Sequence, residues 1–222
     1  MFWNYLEKSV NQSPLRFDSL LIPLALACFA EILISPSSMA RTIYPINNGF
    51  EVPNLASGFL YEPCGVECCG VGWTFVGSVG TLGTGIAANG SAFGVSRAQN
   101  GNSDGTTSIV GQAAFFQGGD GTLASGVYFY QTIDGFHAGT VRVAFLLESR
   151  VGFPMNELVV QLDDTVLGTF STSSTSAFML ETTVPIPVTP GSHTLYFIPN
   201  GLNDNLRNGF VDSVRLDNEP SP

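Results

Sequence analysis

Lysine is almost missing from this sequence: Lys8 is the only one among 222 residues. Charged residues of both signs make up only 12%, and 18 acids against 8 bases leave a net charge of −10. A chain this poor in cations repels phosphate backbones, so nucleic acid is excluded as an expected partner. Neutral polymers and cations are the partners its charge permits. Histidine is limited to His137 and His193, both beside turn residues and neither near a serine motif that suggests a triad. A phosphate-cradling loop is lacking too, because "GTLGTG" (80–85) is followed by no lysine and no helical pattern. What is plentiful is 25 Gly, 17 Phe and an apolar content of 44%. That balance, with so little charge, belongs to a packed domain and not to a disordered chain.

The N-terminus has the order of an export signal. Lys8 and Arg16 lie in a polar leader, "SLLIPLALACFAEILI" (19–34) is an apolar core, and "SSMA" (37–40) offers small residues for cleavage. The expected cut follows Ala40, with one after Ala30 as the alternative. A retained anchor, or a lipoprotein cut before Cys28, are further alternatives. Glu31 interrupts the apolar run, which is short for a membrane span. The expected mature chain is 41–222, secreted to the extracellular space or cell surface, with no membrane span of its own. Its strong bases are Arg41, Arg97, Arg142, Arg150, Arg207 and Arg215, so the acidity stays with the folded part. An exported chain permits disulfides. Cys64 paired with Cys68 or Cys69 would staple a small loop and leave one thiol over; free thiols and a three-thiolate metal site are the alternatives.

The mature part alternates short β-rich runs with turn clusters. Strands are expected in "GQAAFFQG" (111–118), "GVYFYQTI" (126–133), "TVRVAFLLESR" (140–150), "ELVVQL" (157–162) and "TVLGTF" (165–170). "AFMLETTVPIPV" (177–188), "SHTLYFI" (192–198) and "GFVDSVRL" (209–216) complete the set, and "NNGFEVP" (47–53) reads as the first strand. Asp163-Asp164 is expected as a hairpin turn, and Pro185 and Pro187 place their strand at an edge. Many short strands without a helical period predict one all-β domain, a β-sandwich of jelly-roll type.

Period-two alternation over "GFVDSVRL" puts Phe210, Asp212, Val214 and Leu216 on one apolar face. A carboxylate there must be hydrogen-bonded or paired with a cation, and a calcium ion with oxygen ligands suits an acidic exported protein. Sugar recognition needs flat aromatic faces and a few fixed polar groups. The ligand-binding candidates are Gln117, Tyr128, Tyr130, Gln131 and Arg150. Tyr128 and Tyr130 share one face of their strand and Phe129 and Gln131 the other, so only one of these pairs faces solvent. Trp73 is expected in the core.

In order along the chain, "NNGFEVP", "GWTFVG", "GIAANGSAFG", "GQAAFFQGGDG", "YQTIDGFHAGTVRVAFLLESR", "VVQLDDTVLGTF", "GSHTLYFI" and "GFVDSVRL" resemble the galactose-binding-like domains of carbohydrate-binding-module type found in exported bacterial proteins. The resemblance implies a structural calcium held by Glu51 and Asp212, with Ser213 standing where a second acid is common. It also implies a non-catalytic module that binds a glycan or polysaccharide of the envelope, matrix or environment. A self-associating structural or adhesive protein is the alternative. A carbohydrate-active enzyme drawing on two of Glu148, Glu157, Asp163 and Asp164 is the second alternative.

Overall fold

The computed structural model describes residues 39–61, 72–77, 83–88, 91, 111–150, 152–173, 177–201 and 207–221, all within the compact unit Ser37–Pro222. The expected signal, apart from Met39 and Ala40, and Cys64, Cys68 and Cys69 lie outside the described residues.

The described chain is almost entirely β. In order it forms β1 (Arg41–Ile43), β2 (Phe59–Tyr61), β3 (Thr74–Val76), β4 (Gly83–Ala88), β5 (Gln112–Gln117), β6 (Tyr128–Phe136) and β7 (Gly139–Ser149). There follow β8 (Glu157–Leu162), β9 (Thr165–Phe170), β10 (Met179–Thr182), β11 (Ile186–Val188), β12 (Gly191–Asn200) and β13 (Gly209–Pro220). One antiparallel sheet runs β10-β7-β13-β5-β4-β2, with β1 added on β13 and β11 on β7. The second runs β3-β6-β12-β8-β9. The two make the expected β-sandwich.

Alternation explains why these strands form. In β7, Val141, Val143, Phe145 and Leu147 are fully buried in the main core, as their spacing of two predicts. The partner sheet sends in Phe129, Leu158, Val160, Leu195 and Phe197. Phe129 stacks on Phe197 with centroids 4.9 Å apart, and Phe50 meets Trp73 at 5.1 Å. Each buried ring stabilises the fold by roughly 1.5–3 kcal/mol relative to exposure. Asp163-Asp164 turns β8 into β9 as expected, with Asp163 at φ 49°. Pro185 falls between β10 and β11, which both pair with β7 at the margin of their sheet.

Two expectations are corrected. "NNGFEVP" is not a strand: residues 46–49 form a turn, and Asn47 and Phe50 have positive φ. Buried amides replace the missing ladder. Gln131 brackets Ile46, accepting from its N–H at 2.7 Å and donating to its carbonyl at 3.0 Å. Gln112 donates to the carbonyls of Phe50 and Pro53 at 2.6 and 2.7 Å. Phe50 remains the core anchor, fully buried. The second correction concerns β13. A bulge between Asp212 and Arg215, with Ser213 at φ 51°, shifts the alternation by one residue. Val211, Val214 and Leu216 therefore share the main core, while Phe210 joins a separate cluster with Phe115 and Leu146. Asp212 stands opposite Leu146, on the side of Phe210.

Candidate functional site

Three groups of polar or aromatic side chains stand out. The first is the carboxylate pair. Far apart in sequence, Glu51 and Asp212 are close enough that Glu51 raises the pKa of Asp212 through its charge. Glu51 Oε1 accepts from the N–H groups of Gly111 and Gln112 at 3.1 and 3.4 Å, where β5 begins. The turn holding Glu51 is tied to β13 by Val214 N–H donating to the Asn48 carbonyl at 2.9 Å. Asp212 Oδ1 accepts from Ser213 N–H at 2.7 Å, whereas Oδ2 is buried without a hydrogen-bond partner among the described residues. Burial, with the Glu51 charge adding to it against the Ser213 hydrogen bonds, pushes the Asp212 carboxyl up to about 8. Burial also raises Glu51, against its two backbone donors. Two acids that both resist ionisation, one with an orphaned buried oxygen, are what a hard cation would relieve. Among the described residues, no group of three or more His, Cys, Asp or Glu is gathered.

Gly111 is part of this arrangement. A Cβ added there would lie 2.8 Å from Glu51 Oε2. Gly111→Ala is therefore expected to displace the Glu51 carboxylate and lower the melting temperature by a few degrees, about 1 kcal/mol. Thermal denaturation checks this, and an unchanged melting curve would show that the carboxylate is not held there.

The second group lies on the outer face of the five-stranded sheet. Tyr128 and Tyr130 point to this face, and β12 adds Tyr196 directly opposite Tyr130. The ring centroids form a triangle of 5.9, 6.1 and 5.4 Å, and all three rings are half-buried at the surface. The strip continues along β6 and β12 through Thr132 and Thr194, whose hydroxyls are 2.9 Å apart, to Asp134, which accepts from the Ser192 hydroxyl. Gln161 flanks Tyr196 on β8. Burial raises the Tyr196 hydroxyl, followed by the neighbouring Tyr130 and Tyr128 and then by Asp163 and Asp164. Chemically this is an open aromatic platform edged by hydroxyls, an amide and carboxylates.

The third group lies on the outer face of the larger sheet. The Tyr61 hydroxyl donates to Gln117 Oε1 at 2.5 Å, and Gln117 Nε2 donates to Asn208 Oδ1 at 3.0 Å. Asn208 Nδ2 is buried without a partner among the described residues, and the Asn208 carbonyl accepts from Arg150 N–H at 3.0 Å. Arg150 itself lies over the Phe153 ring at 5.1 Å. Glu148, fully buried, faces Phe210 across the ladder on the same side as Phe115 and Gln117.

The candidates read from the sequence are thus divided. Glu51 and Asp212 come together. Tyr128 and Tyr130 form the solvent-facing pair. Gln131 is scaffold, with both ends of its amide engaged by Ile46. Gln117 is fully buried and Arg150 sits near it through Asn208, both remote in sheet position from the tyrosines. Trp73 is core, its indole N–H donating to the Asn47 carbonyl at 3.1 Å. Tyr196 was missed. The alternation of Leu195 and Phe197 signals its outward direction, but only pairing of β12 with β6 makes it a partner of Tyr130.

His193 sits at one end of the platform's sheet. Its Nδ1 is 2.6 Å from Asp163 Oδ2, its Nε2 is 2.9 Å from the Thr189 carbonyl, and its ring meets Phe136 edge-on at 4.8 Å. Burial pushes its pKa down, but the Asp163 and Thr189 hydrogen bonds and the Asp163 charge outweigh it, so the net shift is upward. A raised folded-state pKa means this contact stabilises fully below the unfolded value, about 6.5, and is lost as pH rises through the higher folded value. The melting temperature of the parent minus that of His193→Gln should therefore shrink as pH rises above about 6.5. A constant difference across that range would contradict the ion pair.

No family model matches the sequence, and a search of curated proteins finds no match. Solved structures of similar fold exist. A cyclase from Fischerella sp. TAU is 20% identical, with a TM-score of 0.55, over 82% of this chain and 99% of that one. A Stig cyclase from the same source, bound to (3Z)-3-(1-methyl-2-pyrrolidinylidene)-3H-indole, is 18% identical with a TM-score of 0.51, over 82% and 100%. A carbohydrate-binding module, TmCBM61 in complex with β-1,4-galactotriose, is 16% identical with a TM-score of 0.44, over 80% and 99%. The class defined is a β-sandwich domain with the fold of these cyclases. At such identities the likeness is one of fold, and function must be argued from this chain's own side chains.

Proposed function

We propose that the protein is a non-catalytic, exported glycan-binding module whose fold is stabilised by calcium. The observation that carries the reading is the platform of Tyr128, Tyr130 and Tyr196. Three half-buried aromatic rings side by side on an outward sheet face mark a surface suited to a ligand, and phenol rings with hydroxyls at their edges suit the apolar faces and hydroxyl rims of sugars. Calcium would be held by Glu51 and Asp212. The backbone oxygens of the adjoining turn and water would complete the six to eight ligands that calcium takes. The ion would supply the charge that lets both carboxylates ionise inside the fold. Retardation of the full chain in native gels containing soluble neutral polysaccharides tests the binding reading. No retardation by any of them, or equal retardation of Tyr130→Ala with Tyr196→Ala, would sink it.

A second reading is favoured by the third group. Buried Glu148, Gln117 and Asn208 beside the Tyr61 and Phe115 rings are the makings of a small-ligand or catalytic site, since polar groups among aromatic walls fix a ligand's orientation. Its mark would be a ligand or activity lost in Asn208→Ala and kept in the tyrosine variants.

A further inference from the structure

The chemistry around the platform narrows the kind of glycan it would take. The five strands that build this sheet contain no arginine or lysine at all. Their acids are Glu157 and Asp134, with Asp163 and Asp164 in the connecting turn. Direct cross-strand pairing puts Glu157 and Gln161 on the platform's side of the sheet, because Asn200 opposes Glu157 and Tyr196 opposes Gln161. Asp134 follows Tyr128, Tyr130 and Thr132 on the same side of β6. From Tyr128 to Asp134 is six residues of extended chain, roughly 20 Å, so rings and carboxylates lie within the span of a few sugar units.

The cations that reach this sheet come from outside it. Arg41 donates to the Gly135 carbonyl at 3.2 Å, and Arg207 lines a groove with Glu157 and Asn200. His193 is held by Asp163. Among the described residues, Asp134, Asp163 and Asp164 thus stand against Arg41 and His193 at one end, and Glu157 with Asp120, which bridges Asn200, against Arg207 at the other, so carboxylates outnumber arginines around the sheet. The same two aspartates of the turn press upward on the Tyr196 hydroxyl, so their field extends onto the platform.

We propose that the platform binds amino sugars in the protonated, non-acetylated form, with rings stacked on Tyr128, Tyr130 and Tyr196 and ammonium groups toward Asp134 and Asp164. This rests on the glycan-binding reading of the same face. Uronate and sulfated polymers are disfavoured there by like charge, and neutral polymers keep only the stacking. An ammonium within about a Debye length of these carboxylates, about 10 Å at 0.1 M salt, feels them directly.

The test uses the full chain with three probes at one pH and low salt: partly deacetylated chitin, a neutral β-glucan and polygalacturonate. The expected order is amino polymer at least tenfold tighter than neutral glucan, with polygalacturonate weakest. The excess over glucan should shrink at high salt. Asp134→Asn with Asp164→Asn should remove that excess and leave glucan binding in place. Equal affinity for the amino and neutral polymers, or an excess unchanged in the double asparagine variant, overturns the proposal while leaving the module reading intact. Amino-polymer binding that persists in Tyr130→Ala with Tyr196→Ala overturns it too, as attraction to the acidic surface at large. No binding of any of the three probes by the parent, or undiminished binding of all three, the neutral glucan included, in those tyrosine variants, is the separate failure, that of the glycan-binding reading itself.

Discussion

Removing calcium is expected to lower the melting temperature of this protein by about 5–10 °C at neutral pH, and Asp212→Asn to abolish that response. A cation bound only by the folded state at a hundred times its Kd stabilises by about 2.7 kcal/mol, and a domain of this size gains roughly 2–4 °C per kcal/mol. The effect is concentrated at Asp212 because its carboxyl is fully buried and Oδ2 has no hydrogen-bond partner among the described residues. Held at about 8 where an ordinary aspartate sits at 3.8, it costs on the order of 5 kcal/mol to ionise in the fold without a cation. The sign follows from proton binding. Between these two values the folded chain binds more protons than the unfolded one, so stability falls as pH rises. In chelator, the protein should thus be more stable near pH 5 than near pH 8, and calcium should flatten that slope. Asp212→Asn keeps an oxygen for Ser213 N–H and needs no ionisation, so in chelator it should match or exceed the parent near pH 8. Scanning calorimetry with calcium and with chelator reads all of this. A parent protein indifferent to chelator, or an asparagine variant that still responds, would leave the pair as a plain hydrogen-bonding feature.

The tyrosine platform should show the largest effect on binding. Tyr130 lies beside both other rings, 5.9 Å from Tyr128 and 5.4 Å from Tyr196. A central aromatic anchor in a binding surface is commonly worth about 2 kcal/mol or more on truncation, a loss of roughly thirtyfold in affinity. Tyr130→Ala with Tyr196→Ala should leave binding undetectable. The fold should survive, because these rings project outward from strands whose inward residues, Phe129, Leu195 and Phe197, stay in the core. Tyr→Phe at both positions separates the two contributions: stacking remains, and only the hydroxyl contacts are lost. Titration calorimetry with the best polymer and circular dichroism of each variant give the comparison. Wild-type affinity in the double alanine variant would place the ligand elsewhere, with the Gln117–Asn208 group next in line.

Much of the fold was legible in the sequence because strands announce themselves locally. Residues 157–162 and 165–170 coincide with β8 and β9, since alternation and a two-residue turn act over a few positions. The cost of burying a charge is equally local information, and it singled out Asp212 and, with the family resemblance, Glu51. Where reading failed, the cause was a backbone event without a composition signal. The bulge at Ser213 needs one residue at positive φ, and it moved Asp212 from the side of Val214 to that of Phe210. The first segment reads as a strand in the sequence, but Phe50 reaches the core from a turn held by Gln112 and Gln131.

By itself the sequence determined the class of fold, the poverty of cations and the identity of the chemically notable residues. All three follow from composition and short-range period. Tertiary structure decided their surroundings: that Glu51 is held by the Gly111 and Gln112 N–H groups while Asp212 is buried on the side of Phe210, that Gln131 serves the scaffold, and that Tyr196 completes a face with Tyr128 and Tyr130. Sheet pairing joins residues far apart in the chain. Which strands pair, and in what register, depends on the packing of both sheets together and not on any one segment.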